Sequence, residues 1–258
     1  MDVANQLLRL KADFDDVYEA GQKAGADYDV AFNEGYNNGY AKGETDGYNN
    51  GYTDGVASVP NPLEYATYTT SMFKNATFPE NYELTLNLPN VTFIGTMFQN
   101  VKNIVKATIK GNTNENSLEC ASSFAGTSLV TIDLTEFCMK AKNAHNLFGN
   151  SMALQEVKGI IDLTESTGNT NIAYTCVELK EIRFKANSIK LSISFSHSSK
   201  LSAESVQSII DGLATVETAQ TITLHKDVKI LQAQVDSANA KGWTVAGGTV
   251  VSEEEYYG

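Results

Sequence analysis

The chain has 258 residues, 42% of them hydrophobic, with 19 Lys and Arg against 31 Asp and Glu for a net charge of -12. That length exceeds one average domain and allows a sizeable core. So acidic a balance argues against a general nucleic-acid or anionic-membrane binder, which needs clustered Lys and Arg, and no apolar run reaches the roughly 18 residues of a membrane span.

The charge is uneven: residues 1–59 hold 11 acids and 4 bases, which is -7 of the -12. The opening Met1–Leu10 lacks a basic start, a long apolar core and a small-residue cleavage site, so no secretory signal is expected there. Cys120, Cys138 and Cys176 form no close-spaced pair. An odd count in a chain this long points to free, mostly buried thiols made in a reducing compartment.

Residues 3–32 read as helical, with Leu7, Leu8, Leu10, Phe14, Val17 and Tyr18 at mixed three- and four-residue spacing. A glycine then falls at every fourth position: Gly35, Gly39, Gly43, Gly47, Gly51 and Gly55. Tyrosines follow four of them, at Tyr36, Tyr40, Tyr48 and Tyr52. Each glycine costs a helix interior up to about 1 kcal/mol relative to alanine, so six of them argue against an isolated helix. A flexible linker is one reading. An ordered assembly or docking stalk is the other, in which small residues let neighbouring helices approach closely and tyrosines pack across the contact. A period of four advances about 40° per step on a straight helix, so partners would cross or coil right-handedly. A linker has no need of so strict a period, which favours the stalk. The Asp and Asn spacing around Asp46 and Asp54 does not match an EF-hand loop.

All four prolines, Pro60, Pro62, Pro79 and Pro89, lie within residues 60–89. Pro60 and Pro62 end any helix and mark a boundary. Thr85–Leu88 is the first expected strand, and residues 60–89 read as the N-terminal cap that a stack of repeats requires.

Residues 90–202 carry a recurring pattern: an aromatic, an aliphatic five or six residues on, then usually a β-like run. The copies are Phe98–Ile104, Phe124–Leu129, Phe148–Leu154, Tyr174–Leu179 and Phe195–Leu201, with successive aromatics 26, 24, 26 and 21 residues apart. Spacing in the twenties predicts stacked repeats, each unable to bury its apolar face alone. The expected strands are Lys106–Ile109, Thr131–Leu134, Gly159–Leu163 and Glu181–Phe184. The alternative is a non-repetitive β-rich domain. Residues 203–258 read as a C-terminal cap. Its parts are a helix N-capped by Ser202, a strand Thr221–Leu224, a second helix over about 228–240 closed by Gly242, a strand Trp243–Ala246, and an acidic tail expected to be mobile or a minor contact.

Chemistry-bearing patterns are few. His145, His197 and His225 share no ligand spacing with the cysteines, and His197 sits in a polar turn that reads as surface. Gly149–Ala153 loosely resembles a nucleophile elbow but lacks its strand–turn–helix context. Neither a P-loop nor a dinucleotide fingerprint occurs. No catalytic residue, cofactor or metal is expected, and a stacked-repeat scaffold more often presents a binding surface.

The copies Phe98–Ile104, Phe124–Leu129, Phe148–Leu154 and Tyr174–Leu179 resemble the BspA-type leucine-rich repeat, with Cys176 at that family's frequent cysteine position and valine, threonine or serine elsewhere. The resemblance covers about residues 90–205 and implies an α+β chain built on a leucine-rich-repeat solenoid with a parallel β ladder. Residues 201–213, 221–225 and 241–245 are similar to the closing segment of such proteins in Gram-positive gut bacteria and their prophages. The Gly-Tyr run resembles N-terminal segments of phage structural proteins. Adhesion or recognition is the implied role, and a virion component of the tail or baseplate the implied context. The implied partners are a host-surface glycan or protein, other virion proteins, and further copies of the chain, a trimer suiting a tail fibre. An adhesive solenoid without an export signal and with free thiols fits a virion part assembled in the host cytoplasm. A virion element without host contact and a bacterial surface adhesin are the alternatives.

Overall fold

The computed structural model describes residue 63 and residues 66–113 and 115–257. The expected N-terminal helix, the glycines and tyrosines from Gly35 to Gly55, and the boundary at Pro60 and Pro62 lie outside those residues. The chain divides into two units, and the architecture that follows is that of the unit beginning at Thr67.

This unit is α+β and strand-rich, and every named strand pair in it is parallel. Strands β1 (Thr77–Leu88), β2 (Lys102–Gly111), β4 (Thr131–Asp133) and β6 (Glu156–Lys158) form one ladder in that order. Lys106 faces Thr131 and Thr131 faces Glu156, which in turn bridges to Glu181, so the register advances by 25 residues at each step. Parallel strands cannot be joined by a tight hairpin; the chain must travel round before pairing again. Here each journey passes through a second ladder, β3 (Leu118–Glu119), β5 (Met139–Asn143) and β7 (Ile161–Asp162). Phe93 and Phe184 extend that ladder through bridges to Glu119 and Ile161. Alternation explains the inward face, since Ala107 and Ile109 are buried while the alternate residues Thr108 and Lys110 are half-exposed.

Between the two ladders lies a turn in which every second amide bonds to the neighbouring circuit. Ile94, Thr96, Phe98 and Asn100 donate to the carbonyls of Glu119, Ala121, Ser123 and Ala125. The same pattern repeats from Cys120, Ser122, Phe124 and Gly126, and again from Ala144, Asn146, Phe148 and Asn150. Intervening amides close local turns, as Met97 does onto Ile94. The geometry needs left-handed backbone twice per circuit, at Ser71 and Asn75, Thr96 and Asn100, Ser122 and Gly126, Asn146 and Asn150, and Asn171 and Thr175. Asn and Gly tolerate that region best, which accounts for the asparagines.

Midway between the first four of these left-handed pairs an aromatic points inward. Phe73, Phe98, Phe124 and Phe148 stack with ring centroids 5.2, 5.4 and 5.8 Å apart. Offset stacking adds about 0.5–1.5 kcal/mol per pair beyond burial. Ile104, Leu129, Leu154 and Leu179, each 25 residues after the last, are wholly buried.

Several expectations are corrected. Gly159–Leu163 is not the counterpart of Thr131–Leu134: β6 holds that place, and Ile161–Asp162 belongs to the second ladder against β5. Phe73 supplies a copy of the aromatic position inside the expected cap of residues 60–89, where β1 is already a full ladder strand. Tyr174 is not a core residue. It is 44% exposed, and Ala173, buried, occupies the position midway between Asn171 and Thr175.

After Leu201 the first ladder ends against a helix, α1 (Ala203–Gly212), N-capped by Ser202, whose side chain accepts from the Ser205 amide. Ser205 and Ser208 present hydroxyls that accept from the amides of Ile182 and Phe184, satisfying an edge that would otherwise invite another strand. Parallel pairing continues beyond in the order β8 (Ile193–Phe195), β9 (Gln220–Leu224), β11 (Trp243–Ala246), and β10 (Lys229–Leu231) pairs with β12 (Thr249–Val251). The second expected helix is shorter, α2 (Gln232–Ala240). The acidic tail is ordered as α3 (Glu253–Tyr257), because buried Tyr256 donates to the Ala203 carbonyl and accepts from Gln234.

Candidate functional site

The residues read as the repeat core build the scaffold. Phe98, Ile104, Phe124, Leu129, Phe148, Leu154, Leu179 and Phe195 are wholly buried, and Leu201 is nearly so. None of these reaches a ligand. Ser151, in the elbow-like Gly149–Ala153, is also buried, with its hydroxyl donating to the Phe124 carbonyl at 2.6 Å. Cys176 stands one circuit on and donates its thiol to the Phe148 carbonyl in the same way. Burial pushes the Cys176 thiol up to about 12 and that of Cys120 still higher, so neither is a thiolate near neutral pH. Among the described residues no group of three or more His, Cys, Asp or Glu is placed to hold a metal ion, and no helix is long and apolar enough to cross a membrane.

Ion pairs join neighbouring circuits along the outside. Glu119 pairs with Lys142, Lys140 with Glu165, and Asp162 with Lys185 on the second ladder, and Lys110 with Glu136 and Lys200 with Glu178 elsewhere. Exposed pairs of this kind are worth at most about 1 kcal/mol each. Asp162 differs in being buried. Burial pushes its carboxyl up, but the Lys185 ammonium at 2.6 Å and the Thr164 amide at 2.8 Å donate to it and hold it below the usual carboxylate range. A depressed carboxylate stabilises the fold above its unfolded value of about 3.9, and that contribution is lost as pH falls through the folded value. Lys185→Met is therefore expected to lower the urea midpoint at pH 7 and to converge on the unsubstituted protein in strong acid. A gap that stays constant with pH contradicts this.

Some apolar side chains remain outward-facing. Of eight exposed large hydrophobic residues among those described, Met152, Tyr174 and Val177 fall on two adjacent circuits, at 63%, 44% and 39% exposure. Tyr174 meets His197 of the next circuit edge to face, with centroids 4.7 Å apart and planes at 75°. Polar groups surround them: Thr175 donates its hydroxyl to Asn150 Oδ1 at 3.0 Å, and Ser196 Oγ lies 3.2 Å from His197 Nδ1. His197 is exposed, as the sequence predicts; the outward role of Tyr174 is the residue that sequence reasoning missed. Its one signal was Ala173 beside it, the small residue at the place a phenylalanine holds in earlier circuits. Compared with known proteins, the chain matches no family model, no curated protein and no solved structure.

Proposed function

We propose that the chain is a virion structural protein of the tail or baseplate, with a leucine-rich-repeat solenoid that recognises a structure on the host cell surface. Residues 1–59 assemble it, as a homo-oligomer, and dock it to other virion proteins. The observation that supports the recognition role most is the corner of Met152, Tyr174, Val177 and His197, an apolar group left outward on a scaffold whose other large side chains are mostly committed to its core. Stacked repeats present rigid extended surfaces of this kind. The constant 25-residue register and the inward aromatic and leucine positions support the likeness to BspA-type repeats.

Two measurements test it. Fluorescently labelled full chain is expected to bind cells of Gram-positive gut bacteria and to block adsorption of the phage that encodes it; protein that binds no such cell contradicts the recognition role. Removing residues 1–59 is expected to leave a folded protein of lower oligomeric state in light scattering, and an unchanged mass contradicts the assembly role.

A further inference from the structure

We infer that the Tyr174 corner binds a neutral pyranose of a cell-surface glycan, with the sugar ring laid against the tyrosine; this rests on the recognition role proposed above. Four features of the corner carry it. Tyr174 is held in place by the His197 ring yet remains 44% exposed, so an apolar ring surface is open to a ligand. Such a surface suits the C–H face of a sugar, and the exposed apolar side chains of Met152 and Val177 lie on the same two circuits.

Hydrogen-bonding side chains stand on the same two circuits, on backbone that the stacking holds in place. The amide NH2 of Asn150 makes no bond within the described residues, while its Oδ1 is already engaged by Thr175. The side chain of Asn171 makes none either. Both asparagines and Thr175 sit on left-handed backbone at φ 62°, 59° and 55°, and the backbone N–H of Asn150 donates to the Tyr174 carbonyl at 2.6 Å. An amide supplies donors and an acceptor from one side chain, the combination a pair of neighbouring hydroxyls needs. Because the backbone beneath is tied into the ladder, little ordering remains to be done when a ligand arrives.

Charge narrows the ligand further. Glu178, next to Val177, and Lys200 neutralise each other at 2.5–2.7 Å, so this pair leaves no cation for a sialic acid or phosphate. Size separates a sugar from a protein partner: three apolar side chains fall well short of the roughly 800 Å² per side of a stable protein interface.

The test is saturation-transfer NMR on the full chain with methyl β-D-galactopyranoside, methyl α-D-glucopyranoside and N-acetylglucosamine as separate millimolar probes. Expected is transfer to the ring protons of at least one probe, loss of that transfer in Tyr174→Ala, and its retention in Tyr174→Phe, with thermal midpoints unchanged in both variants. Absence of transfer from all three probes, or equal transfer in Tyr174→Ala, overturns the inference. Labelled full chain and Tyr174→Ala are scored on bacterial cells in parallel. Cell binding that survives Tyr174→Ala overturns the sugar site while leaving recognition standing, whereas sugar binding without cell binding removes the recognition role alone.

Discussion

Phe124→Ala is expected to destabilise the Thr67–Gly258 unit by about 3–5 kcal/mol, the usual cost of removing a fully buried phenylalanine. Phe124 is wholly buried, with Phe98 stacked on one side at 5.4 Å and Phe148 on the other at 5.8 Å. Alanine would remove both ring contacts and leave a cavity. The lining cannot close on it easily, because the backbone at Phe124 is tied to Leu147 and that at Phe98 to Ser123. For a unit of this size 1 kcal/mol moves Tm by about 2–4 °C, so a fall of about 6–20 °C is expected in calorimetry. Tyr174→Ala, at an exposed position in the equivalent turn two circuits on, serves as the comparison, with an expected change within about 0.5 kcal/mol. A small loss for Phe124→Ala would mean that the rings do not form a common core.

Gly159→Ala should be comparably damaging for a different reason. Gly159 lies at φ +91°, and a Cβ there would stand 2.6 Å from the Leu134 carbonyl oxygen and 2.7 Å from its carbon. Those are backbone atoms of the preceding circuit and cannot swing aside. Backbone strain and overpacking each cost about 1–3 kcal/mol. Gly111, at φ +100°, meets Leu88 and Pro89 in the same way one circuit or more earlier, so the constraint belongs to the stacking of circuits. Gly168 is the control: its nearest neighbour is Asn143 Oδ1 at 3.6 Å, and alanine there should be tolerated. Urea midpoints for the three variants decide the matter, and Gly159→Ala equal to Gly168→Ala contradicts the close approach.

The stacking of circuits was legible in the sequence because its inward residues are large and its spacing regular. Phe98, Phe124 and Phe148 and the aliphatics Ile104, Leu129, Leu154 and Leu179 stand out by type alone. The second ladder was hidden. Its strands β3 and β7 have two residues each, too short to show alternation. The turns between ladders were hidden as well, since Asn, Ser and Thr at left-handed positions read as ordinary loop. Phe73 was obscured by Pro79, which made residues 60–89 look like a boundary; β1 accommodates that proline as an edge strand can. At Tyr174 the pattern misled, because an aromatic one residue from the core position kept the expected spacing. The exposed corner was therefore invisible, since facing inward or outward differs there by a single residue.

The most direct measurement is a nuclear Overhauser spectrum of the protein with isotope-labelled phenylalanine rings. The expected result is a chain of ring-to-ring contacts linking Phe73 to Phe98, Phe98 to Phe124 and Phe124 to Phe148, with amide contacts joining Ile132 to Ala107 and to Val157. Phenylalanine rings that report only neighbours close in sequence, or contacts at separations unrelated to the 24–26 residue circuit, would contradict parallel stacking and with it the surface on which recognition depends.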